Sequence, residues 1–160
     1  MKKNLLSNIF ILTGFIFVLA GHSFASNGSP EPEVKCAMPN FERAYKNAAA
    51  VFVGEVVSIE KDGDTRTFKF RVKKYWKGIE DTTVKVTAHE NRRYQAPFKK
   101  GESFLVFAKS NEGKGLWDGR CSRTRNMKSY SPSKEEDLEQ LGEAKTCIDL
   151  VKLKQKENKT

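Results

Sequence analysis

"VFVGEVVSIEKDGDTRTFKFRVKKYW", residues 51–76, decides the fold. Its first part, "VFVGEVVSI" (51–59), is β-branched and aromatic, with apolar side chains on both alternating faces. Val51, Val53, Val57 and Ile59 share one face, and Phe52 and Val56 share the other. That is the pattern of a coiled barrel strand, in which Gly54 permits a bulge. "EKDGDT" then supplies a hairpin turn at Asp62-Gly63. The partner, "TFKFRVKKYW" (67–76), alternates: Phe68, Phe70 and Val72 face inward, while Lys69, Arg71 and Lys73 face outward. "KG" ends it.

Downstream, "TTVKVTA" (82–88), "ESFLVFAK" (102–109) and "GLWDGRCSR" (115–123) read as three more strands, the last two separated by the turn-like "SNEGKG". Five short strands with turn signals between them predict a mainly β fold, a small closed or nearly closed barrel. Helical spacing appears on either side. Asn40 is a good N-cap ahead of Phe41, Ala44, Tyr45 and Ala48. Ser133 and Glu136 form a capping box ahead of Leu138 and Leu141. Apolar residues continue through Cys147, Ile148, Leu150 and Val151, as a further helix after Gly142.

At the N-terminus Lys2 and Lys3 precede the apolar run "IFILTGFIFVLAG" and the small residues of "HSFAS". This is the order of a secretory signal peptide over residues 1–25, cleaved after Ala25. The run is short for a bilayer span. Residues 26–35 read as a flexible leader, 36–152 as one domain and 153–160 as a polar basic tail. Export to a periplasm or beyond implies an oxidising compartment. The formal charge of +9 falls to +7 once Lys2 and Lys3 are removed, because residues 1–25 hold no acid. Such a protein can meet anionic envelope polymer, lipid head groups or an acidic protein face.

Three cysteines cannot all pair within one chain, so one is left over. Catalytic patterns are scarce. With His22 removed, His89 is the sole histidine, no G-x-S-x-G elbow exists, and His89-Glu90 lacks the second histidine of a zinc protease helix. Cys36, Cys121, Cys147 and His89 contain no short cysteine knuckle, so the reading assigns no metal, no cofactor and no enzymatic activity. The stripe Lys69, Arg71 and Lys73, extended by Arg92 and Arg93, makes a possible basic face. Phe68 and Phe70 alternate away from those charges and leave no stacking platform for bases, so nucleic acid is set aside as a partner.

The order of elements then resembles a known family. A cysteine, a short helix ending in "NAAAVFVGEV", a strand leading to "YWKG", then "GESFLVFA" and "CSRT" are similar to the netrin-like domain of tissue inhibitors of metalloproteinases, bacterial secreted members above all. The resemblance covers roughly residues 36–145. It implies an OB-type five-stranded Greek-key barrel with flanking α-helices. The family opens with C-x-C, and Cys36 falls at the second of those cysteines, whose partner on the last barrel strand matches Cys121. The first falls at Val34, and its partner region, "RRYQAPF", also lacks cysteine. The resemblance therefore implies a Cys36–Cys121 disulfide. Cys147 remains, on the last helix or linking a dimer; otherwise the chain is a monomer.

In the animal inhibitors the α-amino group and carbonyl of the first cysteine chelate the target's zinc. This chain departs there, with valine at 34 and a predicted mature start near Ser26. Cleavage after Lys35 would instead expose Cys36 as a new N-terminus. The expectation is a secreted, non-catalytic protein-binding module whose partner, by resemblance alone, is a metalloprotease. Its inhibitory ridge would comprise Val34, Lys35, Cys36, Ala37, Met38 and Pro39, with His89 and Glu90 beside it. The alternative is an envelope-associated module whose basic barrel face binds anionic polymer or lipid.

Overall fold

The computed structural model describes residues 36–91, 94–111, 113, 115–148 and 150. The stretches expected to be a signal peptide and a leader, with Val34 and Lys35, and also Arg92, Arg93 and the expected basic tail, lie outside them. The chain forms α1 (Phe41–Asn47), β1 (Ala50–Asp62), β2 (Thr65–Lys77), β3 (Thr83–His89), β4 (Ser103–Asn111), β5 (Gly115–Trp117), β6 (Arg125–Asn126), α2 (Pro132–Leu141) and β7 (Lys145–Thr146).

Five strands close a ring in the order β1-β2-β3-β5-β4, with β4 returning to β1. Within it β3 and β5 run parallel, and the other neighbours run antiparallel. The first hairpin closes through Asp62 opposite Thr65, so the turn itself is Gly63-Asp64, with Gly63 at φ 55°. Register shifts leave Lys73 and Trp76 of β2 and Val57 of β1 without an opposite residue. Such bulges bend and twist the strands, which lets five of them close. Gly54 sits at one shift, but the extra residue is Lys73 on the partner strand. A Cβ at Gly54 would come within 3.1 Å of the Arg71 carbonyl and 3.0 Å of the Phe52 ring.

The double-faced β1 has a reason in packing. Ala50, Phe52 and Val56 enter the barrel interior with Phe68, Phe70, Val72, Val86, Phe104 and Val106. Phe98, from the β3–β4 connection, plugs that interior, with ring centroids 4.8 Å from Phe68, 5.1 Å from Phe70 and 5.0 Å from Phe104. Val51 and Val53 point the other way and pack with Ala44, Ala48, Leu105 and Phe107 under α1. The Asn40 side chain caps α1 by accepting from the Arg43 N–H (3.0 Å). Lys77 closes the other end, donating to the carbonyls of Tyr45 (2.9 Å) and Lys46 (3.2 Å). Gly78 follows at φ 61°, where a Cβ would lie 1.9 Å from the Ala49 carbonyl oxygen. No other residue tolerates that turn.

Three expectations are corrected. The fifth strand ends at Trp117, because Asp118 turns its carboxylate inward and residues 118–124 wrap around it. Cys121 therefore sits in a turn after the strand. Ser133–Glu136 is not the cap of α2: the helix starts at Pro132, whose fixed φ suits the first helical position. After Gly142 the chain first adds β7 to β2 at Lys74 and Tyr75 before Cys147, Ile148 and Leu150 become helical.

Candidate binding ridge

Segment 36–39 has no regular structure, so something other than ladder hydrogen bonds must hold it. Three ties do so, all from the segment after β5: two from its loop and one from β6. The disulfide joins Cys36 to Cys121 with the Cα atoms 5.3 Å apart, as the resemblance implied. The Arg123 guanidinium donates through Nη1 to the Pro39 carbonyl at 2.9 Å. Arg125 donates to the Met38 sulfur and, at 2.9 Å, to the Thr124 carbonyl. Met38 is nonetheless 48% exposed, although its segment is held on both flanks. Beside it lies a cleft of about 520 Å³ lined by Ala37, Met38, Pro39, Asn40, Arg43, Ala44, Asn47, Lys109 and Cys121.

The loop bearing these ties is itself built on two buried carboxylates. Arg123, nearly buried, forks onto the fully buried Asp137 of α2, with Nε 3.1 Å and 3.2 Å from the two oxygens and Nη2 on Oδ1. A buried charge is tolerated only when paired and hydrogen-bonded, and this fork with the Pro39 carbonyl satisfies both conditions. Asp118, 2% exposed, accepts from Thr124 Oγ1 (3.0 Å), which in turn accepts from the Phe107 N–H (3.3 Å). Burial pushes the Asp118 carboxyl up to about 6, although hydrogen bonds from Ser122, Thr124 and the Gly119 backbone, and the charge of Lys109, oppose the shift. Tyr94 is pushed well up by burial, then by the charges of Asp118 and Glu90.

The remaining expected site residues lie elsewhere. His89 ends β3, its Nδ1 3.1 Å from Thr65 Oγ1. Glu90 pairs with Arg66 (2.8 Å) and accepts from the Ala96 N–H (2.9 Å), so both belong to the neighbourhood of the β1–β2 hairpin. On the basic face, Lys69 is half-buried and Arg71 is exposed. Lys73 is engaged, 3.1 Å from Glu55 and donating to Ser103 Oγ at 3.0 Å. The odd thiol, Cys147, donates to the Val72 carbonyl at 2.7 Å, and burial pushes its pKa up. Sequence reasoning missed Asp118, Arg123 and Asp137. The one signal was spacing: Lys134, Asp137 and Leu141 lie on one helical stripe, so a charge shares the inward side with a leucine.

No family model matches this chain, and no curated protein matches it. Among solved structures, it is similar to a murine DNA-binding protein bound to double-stranded DNA, at 17% identity and a TM-score of 0.34. The match covers 59% of this chain and 50% of that one, so the chain spans half the length of that protein's chain. The earlier exclusion of nucleic acid is corrected on that finding. Its physical weakness is that a formal charge of +9 does not discriminate among polyanions. A likeness so slight carries no argument about what this chain itself binds.

Proposed function

We propose that this chain is an exported, non-catalytic protein-binding module of the netrin-like type, resembling tissue inhibitors of metalloproteinases. It presents Cys36–Pro39 as a substrate-like ridge to the cleft of a metalloendopeptidase. The strand order β1-β2-β3-β5-β4 supports an OB-type Greek-key barrel beneath that ridge. One observation carries the reading: Met38 stands half exposed on a segment fixed by a disulfide, a buried arginine and a second arginine. Fixing a ligand in its bound conformation before contact removes much of the ordering cost of association. An apolar anchor on such a segment is what a cleft binds.

The test is inhibition of a panel of zinc metalloendopeptidases by the full oxidised chain, beside Met38→Arg. The reading expects inhibition at micromolar concentration by the parent chain, little change when salt is raised, because packed apolar contacts are weakly screened, and loss in the variant. Inhibition that survives Met38→Arg, or none across the panel, would refute it.

A further inference from the structure

The outer face of the barrel carries a second surface on which the ridge reading does not depend, although its Lys109 also lines the cleft beside Met38. In the β2–β3 ladder Lys69 lies directly opposite Lys85, two like charges in one cross-strand pair. Across β1 the residue opposite Lys69 is Ser58, so no acid occupies either of these paired positions. Like charges directly opposite destabilise a sheet, and nothing in the packing requires them, since the inward positions on either side (Phe68, Phe70, Val84, Val86) already supply the core. The next row reads Glu60, Thr67, Thr87, Trp117 and Lys109 across the five strands, so its one acid lies on the β1 side, away from Lys85 and Lys109. Lys109 holds its Nζ 5.6 Å from the Trp117 ring centre. The face thus presents Lys69, Lys85 and Lys109 with hydroxyls between them.

We infer that this β2–β3–β5–β4 face binds an acidic polysaccharide, its carboxylates spanning the lysine pair and Lys109. The argument is charge complementarity: an anion between Lys69 and Lys85 converts a repulsive pair into two attractive ones. Neighbouring strands lie about 4.8 Å apart and rows two residues apart along a strand roughly 6.5–7 Å, so Lys109, two strands and one row from Lys85, stands about 12 Å from it by backbone position, a span that a few sugar units of a linear polymer cross. Polysaccharide is favoured over single-stranded nucleic acid because Trp117 already carries Lys109 over its ring, and a Cβ at Gly119 would lie 2.6 Å from that ring.

Fluorescence anisotropy of labelled polygalacturonate with the full chain tests this, beside a labelled deoxythymidine oligomer and vesicles of anionic phospholipid. Lys69→Glu is the decisive variant. It turns the repulsive pair into an opposite-charge pair, so it should hold or raise the melting temperature while weakening polygalacturonate binding about tenfold or more at low salt, with a shallower salt dependence. Lys85→Thr should weaken binding in the same direction. Lys99→Thr/Lys100→Thr, which removes charge on the turn before β4, should keep the affinity within about twofold. The inference is overturned if Lys69→Glu binds like the parent, or if the Lys99/Lys100 variant loses as much. It is also overturned if the oligonucleotide or the vesicles bind more tightly than polygalacturonate.

Discussion

Asp118→Asn should stabilise the protein at neutral pH and do progressively less as the pH falls. The fold places this carboxyl in a site that raises its pKa from 3.8 to about 6, burial being the largest cause. The folded state thus holds the proton more tightly than the unfolded chain. The stability linked to that proton is fully present below about 3.8 and is lost as the pH rises through about 6. A difference of about 2 between the two pKa values corresponds to about 3 kcal/mol. Asparagine imitates the protonated acid and does not titrate. Urea unfolding followed by the fluorescence of Trp76 and Trp117, at pH 4 and pH 7.5, measures the gap between parent and variant. That gap should move by about 2.5 kcal/mol in favour of the variant between the two pH values, because at pH 4 the unfolded carboxyl is already partly ionised. Comparing the two proteins cancels the titration of every group they share. A gap that stays constant with pH, or moves in favour of the parent, would refute the reasoning.

Other substitutions probe the ties around the same loop. Replacing Cys36 and Cys121 by serine opens a cross-link spanning 85 residues and should cost about 4 kcal/mol in denaturant unfolding, with the parent falling to the same stability in reductant. Arg123→Met leaves Asp137 buried and unpaired and should cost about 3–5 kcal/mol; Arg123→Met/Asp137→Leu should recover most of it, and a double-mutant cycle reads the coupling. Gly78→Ala forces a side chain onto the Ala49 carbonyl at positive φ and should lower stability by about 2–4 kcal/mol, whereas Gly63→Ala, which meets nothing within 4 Å, should bear only the backbone term. Thermal melts of the two glycine variants side by side separate the clash from the conformation.

Much of the barrel was legible because its residues obey one rule at a time. Phe68, Phe70 and Val72 alternate cleanly, and Val51 to Val56 run apolar on both faces because one face meets the interior and the other meets α1. The end of the last ring strand was not legible, since "GLWDGRCSR" continues to alternate in composition while Asp118 turns inward to collect hydrogen bonds from its own loop. A carboxylate that organises a turn looks in sequence like an exposed one. Asp137 was hidden in the same way: it stands on an otherwise polar helix, and only its distance to Arg123, 14 residues earlier, shows why it is fully buried. The disulfide came from the resemblance, because three cysteines alone leave three possible pairs.

The segment from Asp118 to Asn126, a loop that ends in the two-residue strand β6, therefore has a larger part than its scant regular structure suggests. Every tie on segment 36–39 described above leaves from it: Cys121 to Cys36, Arg123 to Pro39, Arg125 to Met38. Its own position is set from two sides, by Asp118 against Thr124 and by Asp137 of α2 against Arg123. Reduction of the disulfide removes only one of the three ties, so a reduced chain should keep segment 36–39 near its place while losing global stability. The converse follows for Arg123, whose loss detaches the Pro39 carbonyl and unseats the loop from α2 together. Amide hydrogen exchange at residues 37–43 distinguishes the two effects: Arg123→Met should raise local exchange more than reduction does, at matched global stability. If reduction loosens the segment more, the covalent bond is the principal restraint, and the buried ion pair serves the core rather than the ridge.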